Sequence, residues 1–192
     1  MRTKQLVLTA LFAALTAIGA FLKIPIPIEG IPAITLQFFF TAMAGVLLGA
    51  KYGALSQAVY VLLGLVGLPI FTMGGGFSYV LQPSFGFLVG LIPSAWVIGK
   101  LCANAKKFVP MALGILAGLA VLYLIGTPYM GLILNLYLGK GMSVWQIVRA
   151  GCLLYLPGDV LKIVVCTALC LALRALGKTA WLLRNPQFTP RF

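Results

Sequence analysis

Histidine is absent from these 192 residues, and there are only two acidic side chains, Glu29 and Asp159. Each shortage removes a class of chemistry. Without histidine no Ser-His-Asp relay can be built. The four cysteines, Cys102, Cys152, Cys166 and Cys170, contain no CxxC pair, so neither a zinc site nor a disulfide framework is expected. Two acids this far apart in the chain do not make a carboxylate pair for general acid–base work. A phosphate-binding loop is missing as well. Gly177-Lys178-Thr179 resembles the end of one, but Ala172 stands where the motif needs glycine, and an apolar run precedes it in place of a strand. The chain is read as neither an enzyme nor an ATPase, with no metal and no cofactor.

Charge of any sign is scarce. Charged residues make up 8% and apolar residues 62% of the chain, with a mean hydropathy of +1.10. A globular domain is about half apolar and a quarter charged, so this chain has too much hydrocarbon for water to accommodate. Lipid is the alternative solvent. A crossing helix needs about 20 apolar residues, and breakers and charges divide the chain into six such runs, at about 5–22, 34–50, 52–68, 84–98, 109–134 and 157–173. The expected fold class is therefore an all-α membrane protein, a compact bundle of six transmembrane helices forming a single domain over residues 1–192. Arg2 and Lys4 ahead of the first run give it the look of a signal peptide, but the run is long, has no clear cleavage site and is followed by five more, so it is read as a retained anchor.

The 14 basic residues do not form a solvated patch of the kind that grips nucleic acid; they punctuate the apolar runs. With the N-terminus inside, Arg2, Lys4, Lys51, Lys100, Lys106, Lys107, Arg174, Lys178, Arg184 and Arg191 face the cytoplasm. Lys23, Lys140 and Arg149 face outward. This asymmetry predicts that both termini are cytoplasmic.

One basic residue, Lys162, falls inside a span, and Asp159 lies three residues before it. An ionisable group in lipid costs about 2.5–3.5 kcal/mol on insertion scales, which makes it a functional candidate by default. At i, i+3 the two share a helix face near the outer end of the sixth span. A structural ion pair is the plain reading. A ligand site is the sharper one, since a self-satisfied pair gains little over an apolar pair. The uncharged stretch Thr72–Gly86 is glycine-rich and aromatic. It can fold over a ligand, with Phe77 and Tyr79 as flat surfaces. Gln37 is a further polar group needing a partner. Small residues repeat at four-residue spacing in the first span (Ala10 with Ala14, Ala13 with Ala17) and at Gly45/Gly49, Gly86/Gly90 and Gly114/Gly118, which allows helices to approach closely.

The segments Ile34-Thr-Leu-Gln37, Gly74-Gly75-Gly76 through Gln82-Pro83-Ser84-Phe85-Gly86, and Leu156-Pro-Gly-Asp159-Val-Leu-Lys162 together resemble the BioY family. Its members are biotin-binding substrate components of energy-coupling factor transporters. The resemblance implies a six-helix protein of a bacterial or archaeal cell membrane that binds biotin from outside. It also implies docking through the first helix, by Ala10, Ala13, Ala14 and Ala17, onto a transmembrane coupling subunit driven by two cytoplasmic ATPases. The ligand site it implies falls on Asp159 and Lys162, with Gln37, Phe77, Tyr79, Pro83 and Gly86 as further candidates. Two other readings remain: a substrate component for a different small vitamin, and a non-transporting membrane scaffold.

Overall fold

The structure, a computed structural model, describes residues 3–26 and 31–176. Glu29, Arg2, the Gly177-Lys178-Thr179 segment, Arg184 and Arg191 lie outside the described residues, and with them the ends on which the orientation argument partly rests.

Helix α1 spans Thr3–Phe21 and is followed by a two-stranded antiparallel ribbon, β1 Lys23–Ile24 and β2 Ile34–Thr35. Then come α2 Gln37–Leu65, a 3₁₀ turn at Phe77–Leu81, α3 Phe85–Leu101, α4 Phe108–Leu132, the short α5 Val144–Val148 and α6 Leu156–Ala175. Single π turns extend α4 over Ile133–Tyr137 and join α5 to α6 over Arg149–Leu153. Among the described residues, four helical segments are long and apolar enough to cross a membrane: Thr3–Phe21, Gln37–Leu65, Phe108–Tyr137 and Val144–Ala175. Phe85–Leu101 is a shorter apolar helix.

The element α2 covers both the second and third apolar runs of the sequence, and it is not straight. Gly49 interrupts it with φ 76° and ψ 176°, a conformation open essentially to glycine alone. In an unbroken helix residues 37 and 60 would be about 35 Å apart. Instead Gln37 Nε2 donates to the Tyr60 hydroxyl at 2.8 Å, and Thr41 Oγ1 donates to Gln57 Oε1 at 2.9 Å. A Cβ placed on Gly53 would lie 3.0 Å from the Gly45 Cα. The halves 37–48 and 50–65 therefore run antiparallel, as a helical hairpin that reverses at Gly49. Lys51, the charge that divides the two runs in the sequence, follows the reversal by two residues. The polar rungs Gln37–Tyr60 and Thr41–Gln57 satisfy side chains that would be costly if left unpaired in an apolar interior.

This hairpin is the centre of the bundle. It packs against α1 on one side and α3 on the other; α3 packs on α4, and α6 closes against α4 and α2. Glycines set the close approaches. A Cβ on Gly99 would come within 2.2 Å of the Ala50 backbone N, and one on Gly118 within 2.2 Å of Ile98 Cγ1. The glycine spacings noted in the sequence are thus internal contacts. At the Gly49 end, Arg174 donates to the carbonyl oxygens of Ala105 (2.6 Å), Val46 (3.0 Å) and Cys102 (3.2 Å). A guanidinium there complements the negative C-terminal ends of α3 and of the first hairpin half. Cys102 and Cys170 are buried free thiols beside it, and Cys166 is buried further back along α6.

The alanines of α1 divide by face. Ala10 and Ala14 are exposed, whereas Ala13 is 4% exposed and part of the core, with Ala17 packed against it. The expectation that all four form one docking stripe is corrected for Ala13, because i and i+3 neighbours on this helix straddle the boundary between bundle and surroundings. Ala13→Leu should therefore lower thermal stability in detergent by about 1–3 kcal/mol through overpacking. Ala14→Leu should leave the melting temperature unchanged.

Candidate functional site

The end of the bundle opposite Gly49 holds a cavity. Pro157 starts α6, a favoured position because a first-turn residue has no helical partner for its N–H. This puts Asp159 in the first turn, where the positive end of the helix dipole favours an acid. Asp159 is 4% exposed. Its Oδ1 accepts from Lys162 Nζ at 2.7 Å, and its Oδ2 accepts a hydrogen bond from the Tyr123 hydroxyl on α4. The couple is thus internally engaged, as a structural ion pair would be, yet Asp159, Lys162 and Tyr123 all line the cavity. A carboxylate has about four lone-pair sites and an ammonium three N–H donors, so both keep capacity for a further partner.

The cavity encloses about 620 Å³ of empty space, counting its open mouth. The hairpin contributes Gln37 and Phe38, α3 contributes Phe87, Leu88 and Leu91, and α4 contributes Leu122 and Tyr123. Pro32, Ala33, Thr35, Thr72, Ser84 and Tyr155 complete the wall. An apolar enclosure with a few convergent polar groups is the usual make-up of a small-molecule site. Gln37 is held by donating to Tyr60 and by accepting from Thr35 Oγ1 at 3.0 Å. Tyr60 in turn donates to the Ile70 carbonyl at 3.1 Å, tying the hairpin to the glycine-rich loop. The Tyr155 hydroxyl donates to the Pro32 carbonyl, fastening the other loop to the start of α6.

The residues expected from the sequence are distributed unevenly around this cavity. Asp159, Lys162 and Gln37 line it. Phe77 does not: it is 79% exposed and points away from the bundle. Tyr79 is buried, but behind the wall. Its ring lies against Phe71, with centroids 4.6 Å apart, and its hydroxyl bonds Thr72 Oγ1 (2.8 Å) and Ser84 Oγ (3.1 Å), which do line the cavity. It offers its hydroxyl to the wall in place of a flat face to a ligand. Pro83 borders an adjoining outer cavity. Gly86 serves the α3–α4 contact, since a Cβ there would lie 2.3 Å from Tyr129 Cβ. Tyr123 and Tyr155 are the residues that sequence reasoning missed. A signal existed for Tyr123, a single hydroxyl within the apolar run Val121–Leu124 that needs a buried partner.

The matches to known proteins are consistent with one another. The model of the BioY family matches residues 1–179. A probable biotin transporter BioY from Lysinibacillus sphaericus is 45% identical over 179 residues, covering 90% of this chain and 85% of that protein. The biotin transporter BioY of Thermotoga maritima is 34% identical, covering 90% and 97%. The crystal structure of a biotin S-component from an ECF-type ABC transporter superposes with a TM-score of 0.81 at 26% identity, covering 95% of this chain and 97% of that one.

Proposed function

The chain belongs to the BioY family, and from that premise we propose that it is the biotin-binding substrate component of an energy-coupling factor transporter. The observation that carries this reading is the acid–base couple Asp159–Lys162, buried at the start of α6 and facing an otherwise apolar cavity. Biotin presents two ureido N–H donors, a ureido carbonyl, an apolar sulfur ring and a carboxylate tail. Asp159 accepts from the ureido nitrogens and Lys162 donates to the ureido carbonyl. Tyr123 holds the carboxylate in orientation, and Phe38, Phe87 and Leu91 enclose the ring. Exchanging water for these groups favours a ligand whose polar atoms match them, because a mismatched ligand leaves buried charge unpaired.

In this proposal the chain crosses the membrane six times, the hairpin counting twice, with the Gly49 end and both termini in the cytoplasm and the cavity near the outer face. Lys51, Lys100, Lys106, Lys107 and Arg174 then gather at the cytoplasmic end. The exposed face of α1 that carries Ala10 and Ala14 meets the transmembrane coupling subunit, and cytoplasmic ATPases drive the cycle.

Equilibrium binding of a panel of water-soluble vitamins to the purified chain in detergent tests the ligand. Saturable binding of biotin alone is the expected result. Binding of a different vitamin would leave the cavity its role and remove biotin from it; binding of none would favour a scaffold. Ala14→Leu tests the docking face: biotin binding should match wild type while uptake by the assembled transporter falls at least severalfold. Equal loss of both would mean that Ala14 supports the bundle.

A further inference from the structure

A second cavity adjoins the first on its outer side. The two share Pro32, Ala33, Thr72 and Ser84, so they meet along a common seam. Among the described residues, Lys23 is the one charged side chain lining the outer cavity. Its Nζ donates at 2.5 Å to the carbonyl oxygen of Thr72, a seam residue. Its backbone pairs across the ribbon with Thr35, which lines the inner cavity. Ribbon and hydrogen bond together hold the ammonium at the seam, and that bond uses one of its three donors. The inner cation, Lys162, is by contrast engaged by Asp159.

We infer that Lys23 is the receiving group for the carboxylate tail of the ligand, and that the outer cavity houses this tail while the ureido end occupies the Asp159–Lys162 couple. The inference rests on the biotin reading above and assigns the direction in which the molecule lies. The opposite direction would set the ligand carboxylate beside the couple, where the pull of Lys162 is already engaged by Asp159 and offset by the like charge of that acid. At the seam the tail meets a cation and reaches water. Lys23 is exposed, so solvent screens its pull. A charge at the rim acts mainly on the rate of association and on its dependence on salt.

Stopped-flow binding of biotin and of biotinamide, its uncharged amide, to the full chain in detergent tests this. Wild type should take up biotin about three- to fivefold faster than biotinamide at low ionic strength, with the advantage shrinking as salt is added. Lys23→Gln should bind both ligands at the biotinamide rate with dissociation nearly unchanged, and Lys23→Arg should restore the preference for biotin. Full preference retained in Lys23→Gln overturns the inference, as does a wild type that binds biotin and biotinamide at equal rates. A wild type that binds neither overturns the functional reading itself, a distinguishable result.

Discussion

Asp159→Asn is expected to lower biotin affinity at least about 100-fold while the bundle stays folded. The substitution keeps the size and shape of the side chain and removes its charge. It also replaces one acceptor oxygen with an NH₂ donor, which then faces the ureido N–H donors of the ligand. Hydrogen bonds to a charged partner contribute about 1.5–3 kcal/mol each, and 1.4 kcal/mol is a factor of ten, so losing one of them and reducing the other to a neutral bond accounts for the predicted drop. Lys162, 2.7 Å from the carboxylate in the wild type, loses its counter-ion but stays at the cavity wall, where water reaches it in the empty state. Circular dichroism and gel-filtration profiles in detergent should therefore match wild type, separating a lost site from a lost fold. Wild-type affinity in Asp159→Asn would show that the aspartate only stitches α6 to its own first turn.

Gly99→Ala is expected to be among the most damaging single-methyl changes in the fold. Its Cβ would lie 2.2 Å from the Ala50 N, 2.5 Å from the Ala50 Cα and 2.5 Å from the Gly49 carbonyl carbon. All three are backbone atoms of the hairpin reversal, which have no rotamer by which to retreat. The reversal itself holds Gly49 at φ 76°, so displacing it strains the residue on which the two antiparallel halves depend. A loss of about 3 kcal/mol, the upper end for overpacking, is anticipated in thermal unfolding. Gly158→Ala provides the contrast. A Cβ there meets only Ile34 Cγ2, at 4.0 Å, and stability should change by less than about 0.5 kcal/mol. Similar melting temperatures for the two variants would mean that the α3–hairpin contact is looser than its geometry implies.

Much of this architecture is written in one-dimensional features. The apolar runs mark where helices form, because lipid requires every backbone group to bond within its own segment. Asp159 and Lys162 stand out since so few charges surround them. The reversal at Gly49 was less legible: Lys51 marks a break between runs, but nothing local says that the break is one glycine at positive φ with no loop. The helical hairpin becomes visible only once Gln37 meets Tyr60 and Thr41 meets Gln57, pairs set by three-dimensional register. The site's tyrosines are hidden for a related reason. Tyr123 lies 36 residues from Asp159, and its role depends on which face of α4 turns toward α6. Phe77 misleads in the opposite sense, since an aromatic in a glycine-rich loop is read as a wall until the 3₁₀ turn Phe77–Leu81 directs Tyr79 inward and Phe77 outward. The alanines of α1 likewise share one spacing and two environments, which a period of 3.6 divides between faces.

An experimental map of the chain with biotin bound is the most direct measurement of the central claim. It should show the ureido ring between α4 and α6, its nitrogens within hydrogen-bond distance of Asp159 and its tail directed toward Lys23. Biotin density anywhere else, with the Asp159–Lys162–Tyr123 cluster unchanged and its cavity empty, would contradict it.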